Sequence, residues 1–461
     1  MPSPTRIVVI GAGFAGTNLV RALARKLPPG CSLTLVSDES YTTFNPMLPE
    51  AVGASVFPEQ VIVPVREMLR PGGARQFIMG SVAEVDWEQR HIVCRTLAGE
   101  IALGFDHLVL ALGNRARTDL MPGMAEHGLP LKTVGDAMHI RNTVLRRLAR
   151  IELESDTALR RLLGHFIIVG GGFSGVEVAG ELVDCLRSIR HYYPRITADE
   201  LQVTVLHGME RLLPELSPRL GAAALVSLRE RGVSVRLDTR ATHFTEQGVV
   251  LSNGELVAGH TIVCTIGTAP NPLVERLGVA CTMGRIVVGS DLQVPGHDTR
   301  GDTGQAGLWA LGDCAWVPNT LDGSTSPPTA QFAVQQARRL ASNLVARLAG
   351  QTTQPFRYRS RGMMASIGHL KGVAEVAGVP LTGWPAWLVW RAYYLMQMPS
   401  FGRKLRIFFE WGWGMFFPPD ITHLRFTRSH ELKADEARRQ REHVAMVEAH
   451  EAQAAKQAKA A

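Results

Sequence analysis

Twice in this 461-residue chain a short apolar run feeds a glycine turn of a kind that could grip a phosphate. RIVVI (6–10) leads into GAGFAG, and 159 residues later HFIIV (165–169) leads into GGGFSG. Gly11, Gly13 and Gly16, like Gly170, Gly172 and Gly175, permit a tight turn, close approach of backbone to a pyrophosphate, and close packing of helix on strand. Glu177 follows just inside the second helix, where it either complements the helix dipole or does chemistry beside a cofactor. Gly312 and Asp313 in ALGDCA form a turn that can set a carboxylate against a cofactor hydroxyl, or a plain Asp turn. Gln331 and Gln335 sit one turn apart in AQFAVQQARRL, away from the stripe Ala333, Ala337, Leu340 and Leu344; on these residues alone they read as a wet helix face. The ribose ligand of the first loop falls at Ser37, with Asp38 the adjacent candidate and Glu39 beyond. For the second it falls at His207. An acid there would repel a 2′-phosphate and favour NAD, so His207 leaves NADPH use open.

These residues need two dinucleotide-binding units to hold them. The repeat of strand, GxGxxG and helix at domain spacing predicts an α/β chain with two Rossmann-like domains. AEVDWEQRHIVCRT and DHLVLALGN read as strands finishing the first unit; LQVTVL, VSVRLD, GVVLSNGE and HTIVCTIGT read as strands of the second. GLWALGDCAW returns to the first unit, which is therefore discontinuous: 1–120 and 266–383, with 121–265 inserted. A helix after Pro327 and Pro328 carries the glutamines, and its N-terminus points toward whatever the Gly-Asp turn holds.

Composition, 46% apolar and 20% charged, excludes a disordered or fibrous chain. Six cysteines without a CxxC pair argue against a zinc site or redox dithiol. The strand pattern starts within five residues of Met1, leaving no room for a leader peptide, and no eighteen-residue apolar run predicts a membrane span. Yet residues 384–420 hold five of the eight tryptophans, and from Trp384 onward there are 12 Lys and Arg against 8 Asp and Glu. Trp384, Trp387, Trp390, Trp411, Trp413, Phe408 and Phe409 interleave with Arg391, Arg403, Lys404 and Arg406, with no acid before Glu410. This is the composition of amphipathic helices (384–427) lying in an interface, aromatics at headgroup depth and cations toward anionic lipid, broken at Pro399. An aromatic dimer interface is the alternative reading. The tail, 428–461, reads as a solvated helix or frayed extension.

VVIGAGFAG, ALG (111–113), VGGGFSGVEVAGEL, TIGTAPNP, ALGDCA, PPTAQFAVQQA and the stretch from WLVWRAYYL to FFPPDI together resemble the type II NADH:quinone oxidoreductases, from about residue 5 to 427. The resemblance implies FAD on the first loop, with Gly113, Gly267, Gly312, Asp313 and Ala330 at cofactor-matching positions, and NADH or NADPH on the second, near His207. It implies that Glu177 lies near nicotinamide and flavin, and that Gln331 and Gln335 line a quinone pocket. It further implies a peripheral enzyme that pumps no protons, at the cytoplasmic face of a bacterial inner membrane, a homodimer, with no metal and no nucleic-acid partner. Ser37, His207 and Ala337 depart from the family pattern. Alternatives are a sulfide:quinone oxidoreductase, which needs paired reactive cysteines, or a flavin-based redox sensor.

Overall fold

The strand Thr5–Ile10 lies between two parallel neighbours, Cys31–Ser37 on one side and His107–Leu110 on the other. Gly307–Ala310 pairs beyond His107–Leu110, and Arg75–Asp86 beyond Cys31–Ser37, giving five parallel strands. The antiparallel strands His91–Thr96 and Gly99–Gly104 extend one edge. The inserted sheet repeats the plan: His165–Val169 sits between Gln202–Leu206 and Thr261–Cys264, with Val233–Arg236 and Gly128–Pro130 outside, all parallel. Both first strands are almost wholly buried, as their continuous apolar runs require. In each sheet the glycine loop leaves the carboxyl end of the strand where the order reverses, the usual ligand crevice of such sheets.

This computed structural model describes residues 4–69, 74–296, 307–398 and 400–423. The tail 428–461, and the end of the predicted amphipathic region, lie outside the described residues. Residues up to Ile421 form one compact unit. The two chain crossings between the sheets, Asn114–Ala116 and Thr268–Pro270, pair with each other as an antiparallel ribbon.

Two features have no clear signal in the sequence. Residues 362–382 form a three-stranded antiparallel sheet, Gly362–Ser366, Gly372–Val376 and Val379–Thr382. It lies so close to the helix Phe173–Ile189 that a side chain at Gly180 would come within 2.2 Å of the Ile367 carbonyl oxygen. The segment from Phe44 to Val63 lies between two strands of the first sheet, yet packs into the core of the inserted unit, with Met47, Leu48, Ala51 and Val52 buried among residues of Val134–Leu153 and Phe173–Ile189. Both carry polar groups to places that local spacing does not reveal.

Candidate functional site

The two glycine loops are the same device. Gly11 and Gly170 adopt φ of +101° and +122°, and a Cβ on Gly16 or Gly175 would sit 1.9 Å from the carbonyl oxygen of Gly11 or Gly170. Glycine is obligatory at those four positions. The middle glycines differ: around a Cβ on Gly13 or Gly172 nothing lies within 4 Å. Each caps a helix, Phe14–Leu23 or Phe173–Ile189, without any side-chain acceptor, so the first-turn N–H groups face that open space. Open backbone at a bare helix N-terminus fits a pyrophosphate in both loops.

Around the first loop the Gly-Asp turn closes in. Gly312 has φ of +76°, and its N–H donates to Gln336 Oε1 at 2.8 Å. Gln336 is 1% exposed, on the helix Ala330–Leu348 that packs along Phe14–Leu23. Burial raises the Asp313 carboxyl, while Lys132 and Arg285 pull it back toward ionisation. Lys132 also donates to Asn114 Oδ1, tying the inserted unit to the ribbon. A carboxylate between two cations at this crevice suits a hydroxyl-bearing chain. Asp38 is exposed, just past buried Ser37. Gly113 and Gly267 adopt positive φ at the ribbon, and Ala330 opens the glutamine helix.

Glu177 is buried, and its Oε1 accepts from the Ser366 N–H at 3.2 Å. Burial drives its carboxyl well above the usual range, with the charges of Glu181 and Glu50 adding to the rise. Glu181, one turn on, accepts from Ser55 Oγ at 2.6 Å and is pushed by burial up to about 8. Glu50 is also raised by burial, although Arg391 at 3.2 Å and the Trp411 indole N–H at 3.1 Å oppose it. Two of the three buried carboxyls, Glu50 and Glu181, therefore share the cation Arg391. Glu50 carries no signal in the sequence and Arg391 reads there only as a cation of the aromatic segment, since LPEAV and VWRAY give no sign of meeting.

An aromatic series runs beside them. Phe14, the first residue of the first loop's helix, contacts Phe44 (5.5 Å between centroids), which contacts Tyr394 (5.7 Å), then Trp390 (4.7 Å), then Trp411 (6.3 Å). Tyr394 and Trp390 belong to the helix Trp384–Gln397, and Trp411 to the separate helix Phe401–Trp413, so the segment is in two pieces as expected. The expectation of amphipathic helices is corrected in one respect, that not every aromatic and cation read as interfacial lies on the outer side. Trp387, Trp390, Ile407 and Trp411 are buried, and Arg391 stacks 4.1 and 4.5 Å from the Trp387 and Trp411 rings instead of facing outward. Trp384, Leu388, Phe401, Phe408, Phe409, Trp413 and Phe416 are exposed. Among the described residues no helix is long and apolar enough to cross a membrane.

Gln331 accepts from Ser360 Oγ (3.1 Å) and the Arg361 N–H (3.2 Å), joining its helix to the Gly362 strand. Gln335 borders a cleft of about 470 Å³ with Arg25, Lys26, Arg338, Arg339 and Arg357. The two glutamines thus share a helix side but meet different surroundings. The glutamine that touches the Gly-Asp turn is Gln336, for which the only sequence signal was the doubled QQ.

His207 is buried with its ring on the second loop, its Nδ1 accepting from the Gly171 N–H at 3.1 Å. Burial lowers its pKa, so the strand end is uncharged at neutral pH. Thiol chemistry finds no support. All six cysteines are free, and Cys314 beside the Gly-Asp turn is buried, its thiol pushed up to about 11. Among the described residues no cluster could hold a metal ion.

The model of one family, described as pyridine nucleotide-disulphide oxidoreductase, matches residues 5–337. A type II NADH:quinone oxidoreductase of Staphylococcus epidermidis is 30% identical over 383 residues, covering 82% of this chain and 91% of that one. Another, of Mycobacterium tuberculosis, is 26% identical over 423 residues, covering 89% and 88%. Among solved structures, NDH2 of Plasmodium falciparum in complex with NADH superposes with a TM-score of 0.82 at 18% identity, covering 91% of this chain and 99% of that chain.

Proposed function

The chain belongs to the pyridine nucleotide-disulphide oxidoreductase family and, within it, to the type II NADH:quinone oxidoreductases, and on that premise we propose how its residues divide the work of passing two electrons from NADH, by way of FAD, to a membrane quinone. FAD, when bound, would supply the redox chemistry that links the nicotinamide to the quinone. The first loop, with Gly11, Gly13 and Gly16, holds the FAD pyrophosphate. Asp313 holds a hydroxyl of the same cofactor, and Gln336 fixes the turn that presents it. The second loop, with Gly170, Gly172 and Gly175, holds the dinucleotide substrate, and Glu177 stands protonated beside it as a neutral proton holder. Gln331 and Gln335 offer amides that donate to a quinone carbonyl, neutral groups themselves although Gln335 stands at a basic cleft.

One observation carries this reading: the contacts Phe14–Phe44–Tyr394–Trp390–Trp411 join the first loop to helices whose other side is exposed and apolar. A lipid-soluble oxidant must arrive from the bilayer, and this packing sets helices with an exposed apolar side against the first loop's end of the molecule. The enzyme rests on an anionic lipid surface through Phe408, Phe409, Trp413 and Phe416, with Arg406 exposed among them. At the cytoplasmic face of a bacterial inner membrane, a homodimer would double this contact.

Rapid mixing separates the two half-reactions. NADH should bleach the bound flavin, and a short-chain quinone should restore it; Gln331→Leu and Gln335→Leu should slow the second step and leave the first largely intact. Loss of both steps together would return the glutamines to a structural role, and a folded, colourless protein would overturn the reading. Deleting everything after Gly383 is a poor test of anchoring, because it strips Trp390, Ile407 and Trp411 from the core. Phe408→Glu with Phe409→Glu should release the protein from phosphatidylglycerol vesicles; continued sedimentation would contradict the lipid contact.

A further inference from the structure

The second loop's sugar-binding end carries a cation that sequence spacing hides. After the strand Gln202–Leu206 and His207, the turn Gly208, Met209 and Glu210 is exposed. Two backbone bonds pin the loop 238–240 against that turn: the Asp238 N–H donates to the Met209 carbonyl at 3.0 Å, and the Thr239 N–H to the His207 carbonyl at 2.8 Å. Arg240 is thereby laid along Gly208, with its Nε 3.8 Å from where a Gly208 Cβ would stand. Its side chain runs in van der Waals contact beside the place of a Cβ at 208, one residue beyond the position where a dinucleotide-binding strand usually offers its acid. Arg240 is exposed. The neighbouring cations are engaged elsewhere: Arg236 pairs with Glu255 at 2.6 Å, and Arg211 donates to the Pro214 and Leu216 carbonyls. Glu210, Glu215 and Asp238 are the acids of this neighbourhood, all exposed; at the strand end itself stands His207, its Nδ1 turned to Gly171.

We infer that NADPH is a substrate alongside NADH, its 2′-phosphate received by Arg240 over Gly208 where no strand-end carboxylate repels it. This rests on the proposed reaction and names its electron donor more closely. An adenosine ribose bearing a free 2′-hydroxyl meets no repulsion at the same place, so both dinucleotides enter. A phosphate there gains a charge-assisted contact that a hydroxyl does not.

The test has a binding arm and a kinetic arm on the flavin-loaded enzyme. Calorimetry should show adenosine 2′,5′-bisphosphate binding at least as tightly as adenosine 5′-phosphate at low salt, and Arg240→Ala should weaken the bisphosphate by about tenfold more than the monophosphate. Steady-state kcat/KM for NADPH should lie within about tenfold of that for NADH, and His207→Glu should shift the ratio toward NADH by about a hundredfold through restored repulsion. Weaker binding of the bisphosphate by tenfold or more, unmoved by Arg240→Ala, would overturn the inference while leaving NADH oxidation, and the proposed function, intact. Failure of NADH to reduce the flavin would strike the proposed function instead, and the binding arm still decides the role of Arg240.

Discussion

The loops 11–16 and 170–175 share their glycine geometry to a tenth of an ångström at the helix–strand contact, yet their helices carry different chemistry. Counting 159 residues along, Asn18 stands where the second copy has Glu177, and Ala22 where it has Glu181. Asn18 spends its amide on the Phe14 carbonyl of its own helix at 2.8 Å. Glu177 and Glu181 instead face the 362–382 sheet and the 44–63 segment. The first helix is packed along Ala330–Leu348, which brings Gln336 to the Gly-Asp turn, whereas the second is covered by the 362–382 sheet and the 44–63 segment. A neutral, covered loop suits a resident cofactor; a loop backed by protonated carboxyls suits a substrate that comes and goes with its proton.

Breaking the glycine contacts should separate the two roles most sharply. Gly16→Ala and Gly175→Ala each force a Cβ to 1.9 Å from a carbonyl oxygen, a strain of about 1–3 kcal/mol or more. The first should yield protein without yellow colour; the second should keep its flavin and lose NADH-dependent bleaching, both read by absorbance. Next, Glu177→Gln should cut turnover by about a hundredfold with flavin retained, as loss of a proton holder predicts.

Glu181→Gln reports on stability. Burial holds the folded-state pKa near 8, above the unfolded value of 4.5, so the folded protein binds this proton more tightly. Its contribution is full below about pH 4.5 and is lost as pH rises through 8. The substitution should flatten that decline and raise stability at pH 8.5 by roughly 2–4 kcal/mol, measured by thermal unfolding across pH 5–9. Gln336→Leu leaves the Gly312 N–H buried without its acceptor and should cost about 1–3 kcal/mol, seen as easier flavin loss in denaturant. The smallest effect belongs to Asn18→Ala, about 0.5–1 kcal/mol with turnover unchanged. A turnover loss there matching that of Glu177→Gln would erase the distinction between the loops.

Much of the architecture is readable from spacing. The glycine loops, the Gly-Asp turn and the helix after Pro327 rest on contacts within a few residues, where chain geometry leaves little choice. The sheet at 362–382 escaped because GMMAS, GVAEV and VPLT are short and lack clean alternation. The aromatic segment misled in part because periodicity counts apolar residues without saying what covers them; Trp387, Trp390 and Trp411 were expected at a surface and lie inside.

By itself, then, the sequence determined two strand–turn–helix units 159 residues apart, since only glycine admits the φ above +100° and the 1.9 Å contact that such a turn adopts. Tertiary structure alone decided which polar groups act together. Glu50 lies 341 residues from Arg391, Gln336 reaches back 24 residues to Gly312, and Arg240 lies across Gly208 from another strand's end. The physical reason is that burial and neighbouring charge set a carboxyl's protonation or a cation's freedom, and both depend on which distant segments the core draws together.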